Sequence, residues 1–215
     1  MRMPPPNTAV SDLIALGRFA AISVAVDDET AGLEADMKKE DLALRASLGP
    51  RNQAADDLLE ARAKRRVPRR RGVPWLKQGE RQCKTSFHGE TDSPEYRRIL
   101  PKSAAKILAL PEDERYLTIG NVVAALSQPQ TPKELAAMAK AGAGFVAAQT
   151  TADAEVKKKQ TALSQAILGI HAARAAWLDA YKGLFGQLVA KFKNDRERIE
   201  SYFMATSTKK VQAPA

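Results

Sequence analysis

The 215-residue chain is 44% apolar but only 6% aromatic, and much of the apolar share is alanine, which suits closely approaching helices better than a thick globular core. Of its 34 basic and 25 acidic residues, ten bases and one acid fall within residues 62–84, so this stretch holds the whole formal charge of +9 and the remainder is balanced. A single cysteine, Cys83, excludes an internal disulfide, and the most apolar window, residues 19–26, is interrupted by Ser23 and far too short to cross a bilayer.

Residues 1–7 read as a Pro-rich flexible leader without the apolar region of a signal peptide. Residues 8–66 read as N-terminal helices. Asn7 or Thr8 can cap a first helix through a side-chain oxygen, and Leu13, Leu16, Ala20, Val24, Asp27 and Ala31 follow in helical steps. Leu33, Met37 and Leu44 continue the stripe until Gly49-Pro50, where proline geometry ends or kinks it. A further helix over 51–66 presents Ala54, Ala55, Leu58, Leu59 and Ala61.

Residues 67–92 read as a basic loop, punctuated by Pro68, Gly72, Pro74, Gly79 and Gly89, with Trp75 and Phe87 as apolar islands. Residues 93–130 form a small head of short helices. Ser93-Pro94 is a cap with proline at the first helical position, and Pro101 and Pro111 separate helices over 95–100, 102–110 and 112–126.

Residues 131–204 predict one long C-terminal helix. Thr131-Pro132-Lys133-Glu134 has the spacing of a capping box. The apolar stripe then runs through Leu135, Met138, Gly142, Phe145, Leu163, Ile170, Trp177, Tyr181, Leu184, Leu188, Phe192, Ile199 and Phe203, with Asp195 interrupting it. Such a rod would be roughly 110 Å long at about 1.5 Å per residue and needs a partner along its stripe. Its glycines each cost about 1 kcal/mol against alanine, offset by close packing or relieved by kinks, and Gly183 and Gly186 mark an expected close approach. A polar, flexible tail completes the chain at 205–215.

Candidate chemistry concentrates in the basic segment: Arg62, Lys64, Arg65, Arg66, Arg69, Arg70, Arg71, Lys77, Arg81 and Lys84, with Trp75 among them. Guanidinium forks match phosphate oxygens, and Trp75 and Phe87 can stack on unpaired bases. The competing expectation is a contact with an acidic protein surface, such as Asp27-Asp28-Glu29 or Asp56-Asp57 of a neighbouring copy. Cys83, His88 and His171 are too few for a zinc site. No Glu-x-x-His pair for a di-iron centre and no Gly-Lys-Ser/Thr phosphate loop is present. No cofactor, metal or catalytic residue is expected.

The sequence therefore predicts an all-α fold: an elongated antiparallel helical hairpin or bundle, coiled-coil-like, with a small central head of short helices. The expected role is a non-enzymatic, cytoplasmic scaffolding protein without membrane insertion. It would form a homo-oligomer through Leu163, Ile170, Trp177, Tyr181, Leu184, Leu188 and Phe192 while its cationic loop meets an acidic partner. The alternative is a nucleic-acid-binding protein using residues 62–84.

Overall fold

The computed structural model describes residues 3–5, 8–193 and 195–204, and among these there is no strand. The helices are α1 (Val10–Val26), α2 (Ala35–Ala46), α3 (Leu48–Ser86), α4 (Pro94–Ile99), α5 (Ala104–Leu108), α6 (Glu112–Leu126), α7 (Ala136–Phe192) and α8 (Arg196–Ser201). A single 3-10 turn, Lys133–Leu135, precedes α7. The all-helical expectation holds, and none of the described helices is long and apolar enough to cross a membrane. The expected tail at 205–215, and Met1, Arg2, Pro6 and Asn7 of the expected leader, lie outside the described residues. The chain divides into two compact units, residues 1–55 with 162–215, and residues 56–161, and α3 and α7 each contribute a part to both.

In the first unit, Leu13, Leu16, Ala20 and Val24 of α1 pack with Met37 and Leu44 of α2 and with Trp177, Tyr181, Leu184 and Leu188 of α7. Gly17 is what lets α1 approach: a Cβ there would lie 2.8 Å from Trp177 Nε1. The predicted stripe through Asp27 and Ala31 does not continue as helix. Asp27 Oδ1 instead accepts from the Glu29 amide (2.9 Å), a side-chain turn that competes with helix, and Gly32 adopts φ +96°. Thr8 does not supply the anticipated cap, and Asn7 lies outside the described residues. The α1 N-cap is Ala9, and the Thr8 hydroxyl donates to the Pro5 carbonyl (2.8 Å).

The long C-terminal helix stops earlier than predicted, at Phe192. Lys193 turns left-handed (φ 46°) and Asp195, the residue that breaks the stripe, caps α8 by accepting from the Arg198 amide (3.0 Å). Phe203 then folds back edge-on against Tyr181, their ring centroids 5.2 Å apart. Arg198 and Tyr202 both reach Asp27, tying α8 to the turn after α1.

In the second unit, the pairings Asp57–Lys159, Arg65–Asp153, Gly72–Phe145 and Trp75–Gly142 climb α3 while they descend α7. Leu76 and Cys83 of α3 share one core with Tyr96, Ile99, Ile107, Ile119, Val122 and Leu126 of the short helices and with Leu135 and Met138. Ser93 caps α4 as expected, accepting from the Tyr96 amide (3.2 Å). The capping box does not form at α7: Thr131 Oγ1 donates to the Ala125 carbonyl (3.0 Å), and the helix enters through the 3-10 turn instead.

Among the α7 glycines, Gly142 is the one pressed by neighbours. A Cβ there would lie 2.6 Å from Trp75 Cζ2 and 2.7 Å from Val123 Cγ2, and the indole is pinned by its N–H to the Met138 carbonyl (3.1 Å). Gly183 and Gly186 meet nothing within 4 Å, so the close approach expected there does not occur among the described residues. Gly142→Ala should therefore destabilise by about 1–2 kcal/mol, overpacking outweighing helix propensity. Gly183→Ala or Gly186→Ala should stabilise by about 0.5–1 kcal/mol. Urea unfolding of the three variants checks the opposite signs.

Candidate functional site

The basic segment is helix, which corrects the expectation of a loop over 67–92. α3 continues through Pro68 and Pro74 to Ser86. Two prolines in a helix interior cost about 3 kcal/mol each, and burial of a regular seam offsets this. Leu58, Ala61, Pro68, Gly72, Leu76, Gly79 and Cys83 recur in steps of three, four and seven residues and all are buried. The punctuating residues Pro68, Gly72 and Gly79 thus sit on the inward face. Gly72 passes Phe145 and Ile119, and Gly79 passes Met138. The helix ends where His88 (φ 53°) and Gly89 (φ 83°) turn left-handed, and the Gly89 amide closes on the Lys84 carbonyl (2.8 Å).

With the inner face fixed, the cations sort themselves. Arg62, Arg66, Arg70, Lys77, Arg81 and Lys84 are all exposed and follow steps of four, four, seven, four and three. At about 100° per residue these six fall within an arc of roughly 100°, forming a ridge about 33 Å long. Arg71 and Lys64 are exposed on the opposite flank of the same helix. Lys64 pairs with Glu60 (2.6 Å) and Lys84 with Glu80 (3.3 Å), one helical turn away in each case. Among the described residues Arg62, Arg66, Arg70, Arg71, Lys77 and Arg81 form no ion pair.

Arg65 and Arg69 do not belong to that surface. Arg69 is only 5% exposed, and its guanidinium reaches Glu112 (2.6 Å), Asp113 (3.3 Å) and Asp153 (3.4 Å) while lying over the Tyr116 ring at 4.8 Å. Arg65 joins Asp153 at 3.5 Å. The Arg69 hydrogen bond is the main influence holding the Glu112 carboxyl below its ordinary value, with burial acting the other way. Arg69 therefore neutralises acids of α6 and α7 that would otherwise stand beside the ridge. The sequence shows ten cations but not which two turn inward; the seam at Leu58, Ala61, Leu76 and Cys83 was the available signal.

The aromatic residues also separate. Phe87 is half-buried and packed edge-on to Tyr96 (6.0 Å), against the core cluster. Trp75 is half-buried and edge-on to Phe145 (5.0 Å), at the edge of a groove between α3 and α7. The residues expected to form an oligomer interface are largely occupied inside the first unit: Trp177, Tyr181, Leu184 and Leu188 are buried, Phe192 packs against the same core, and Leu163 and Ile170 are half-buried. The acidic patches expected as neighbours' docking sites are engaged in part, Asp27 and Glu29 with Arg198 and Asp57 with Lys159, whereas Asp28 and Asp56 are exposed.

Cys83 sits in the core, where burial above all, and then the nearby Glu80 charge, push its thiol up to about 11. A thiol held that high is protonated at neutral pH and unreactive. In the native protein Cys83 should resist Ellman's reagent for hours and react within seconds in denaturant, so labelling would report opening of this unit. Among the described residues no group of three or more His, Cys, Asp or Glu side chains is placed to hold a metal ion.

The fold and the ridge together define an all-helical protein with one cationic helix face. No family model, no curated protein sequence and no solved structure matches the chain.

Proposed function

We propose that this protein is a non-enzymatic helical scaffold that binds nucleic acid along the cationic ridge of α3. The observation that carries the reading is the alignment of Arg62, Arg66, Arg70, Lys77, Arg81 and Lys84 on one exposed face, with five of the six free of ion pairs among the described residues. Arginine predominates, and its planar fork of donors suits phosphate oxygens. An acidic surface on a second copy is the weaker partner, because Asp27, Glu29 and Asp57 already hold cations of their own chain. The contacts go to the phosphate backbone, so binding is sequence-independent.

The test is a salt series with generic duplex and single-stranded oligonucleotides. Affinity should fall steeply, with a log–log slope of about −4.5 to −5.5 for five or six phosphates on a duplex. Affinity independent of ionic strength, or no binding at low salt, would remove the reading.

Self-association is the second reading, and its place moves from α7 to α1. Phe19, Ile22 and Val26 stand exposed at helical spacing on the face of α1 turned away from its core, an uncharged stripe suited to the same stripe of a second copy. Sedimentation should show a discrete oligomer that Ile22→Glu converts to monomer.

A further inference from the structure

The second unit holds a groove of about 670 Å³ between α3 and α7, on the flank of α3 away from the ridge. Its α7 side is low, because Ala141, Gly144, Ala148 and Ala152 keep large side chains out of it. From Ala141 to Ala152 that floor is roughly 16 Å long at about 1.5 Å per residue. Val67 and Pro68 form an aliphatic wall, and Trp75 with Phe145 closes one end.

The charged residues lining the groove are Lys64 and Arg71, with no carboxylate among them. Lys64 has Glu60 one turn away, whereas Arg71 forms no ion pair among the described residues. An apolar channel bordered by an unengaged guanidinium recognises a ligand that is apolar along its length and anionic at its head. Arg71 and Lys64 are both exposed, so a cationic chain would be repelled by them and a neutral chain would gain nothing from their charge. We infer that this groove is a binding site for an amphipathic monoanion of the long-chain carboxylate class, its chain along the alanine floor and its carboxylate on Arg71 with Lys64 in support. The site is separate from the nucleic-acid ridge, and neither depends on the other.

The two tryptophans make the test direct. Trp75 lines the groove, whereas Trp177 is fully buried in the other unit and serves as a silent background. Dodecanoate, titrated below its critical micelle concentration into the full chain, should change Trp75 fluorescence saturably. Dodecyltrimethylammonium and dodecanol at the same concentrations should not. Arg71→Gln should weaken dodecanoate about ten-fold, the effect of one charge-assisted hydrogen bond. Ala148→Phe, which fills the channel, should abolish the response. Gln at Arg62, Arg66 and Arg70 should leave it unchanged.

Equal binding of the anionic and cationic chains, or a response that never saturates, overturns the inference by reducing the groove to a greasy surface. So does saturable binding of adenosine monophosphate with no response to dodecanoate. If Ala148→Phe does not fold, the Arg71→Gln and Lys64→Gln pair decides: affinity unchanged in that double variant also overturns it.

Discussion

Glutamine in place of Arg62, Arg66, Arg70, Lys77 and Arg81 is expected to abolish nucleic-acid binding at physiological salt while leaving helicity and the unfolding midpoint unchanged. These five side chains are exposed and form no ion pair among the described residues, so their removal costs the fold no contact seen there. Glutamine is a good helix former with stem atoms much like those removed. Each lost phosphate contact should flatten the slope of log affinity against log salt by about 0.9, and five should weaken binding on the order of 1000-fold or more. Fluorescence anisotropy with labelled oligonucleotides gives the affinity, and circular dichroism gives the helicity. Binding that survives the change places the contact elsewhere. Replacing Arg65 or Arg69 would be a poor test, because both serve the interior of the unit and their loss confounds binding with folding.

The long amphipathic elements were legible in the sequence because their periodicity is repeated many times over. The stripe through Trp177, Tyr181, Leu184 and Leu188 is a buried core seam, and the helix over 112–126 falls where it was predicted. Local punctuation was read less well, for a physical reason. Pro68, Gly72 and Gly79 look like loop residues when judged by intrinsic propensity, yet on an inward face small or flat residues permit the close approach to Phe145, Ile119 and Met138. Burial then overrides propensity. The reverse occurs at Asp27 and Asp195, where a single carboxylate competing for backbone amides stops a stripe that apolar periodicity alone would continue. The candidate site was visible as a composition but not as a surface. Only when α3 is known to be helical do steps of three, four and seven place six cations on one side and turn Arg69 inward.

The buried Arg69 cluster predicts an asymmetry in stability between its two halves. Arg69 is almost wholly enclosed, whereas the side chains of Glu112, Asp113 and Asp153 are 57%, 91% and 44% exposed. Removing the three acids together, as Glu112→Gln, Asp113→Asn and Asp153→Asn, leaves an enclosed guanidinium without counter-charge. That should cost about 3 kcal/mol, the lower end for a broken buried pair because amide oxygens still accept hydrogen bonds. Removing the cation instead, as Arg69→Met, frees acids that can turn into water, and an apolar chain of similar length fills the enclosed space over Tyr116. That should cost under about 1.5 kcal/mol, chiefly the lost cation–ring contact and the adjustment of the methionine. The acid side of the stability profile should respond as well. Glu112 is held below its ordinary value near 4.5, so its contribution is present above that value and is lost as pH falls through the lowered one. Arg69→Met should flatten that part of the profile, and urea unfolding between neutral and acid pH measures both effects. Equal costs for the acid triple and for Arg69→Met would show that the guanidinium is not enclosed in solution, because only an enclosed charge distinguishes the two sides of the cluster.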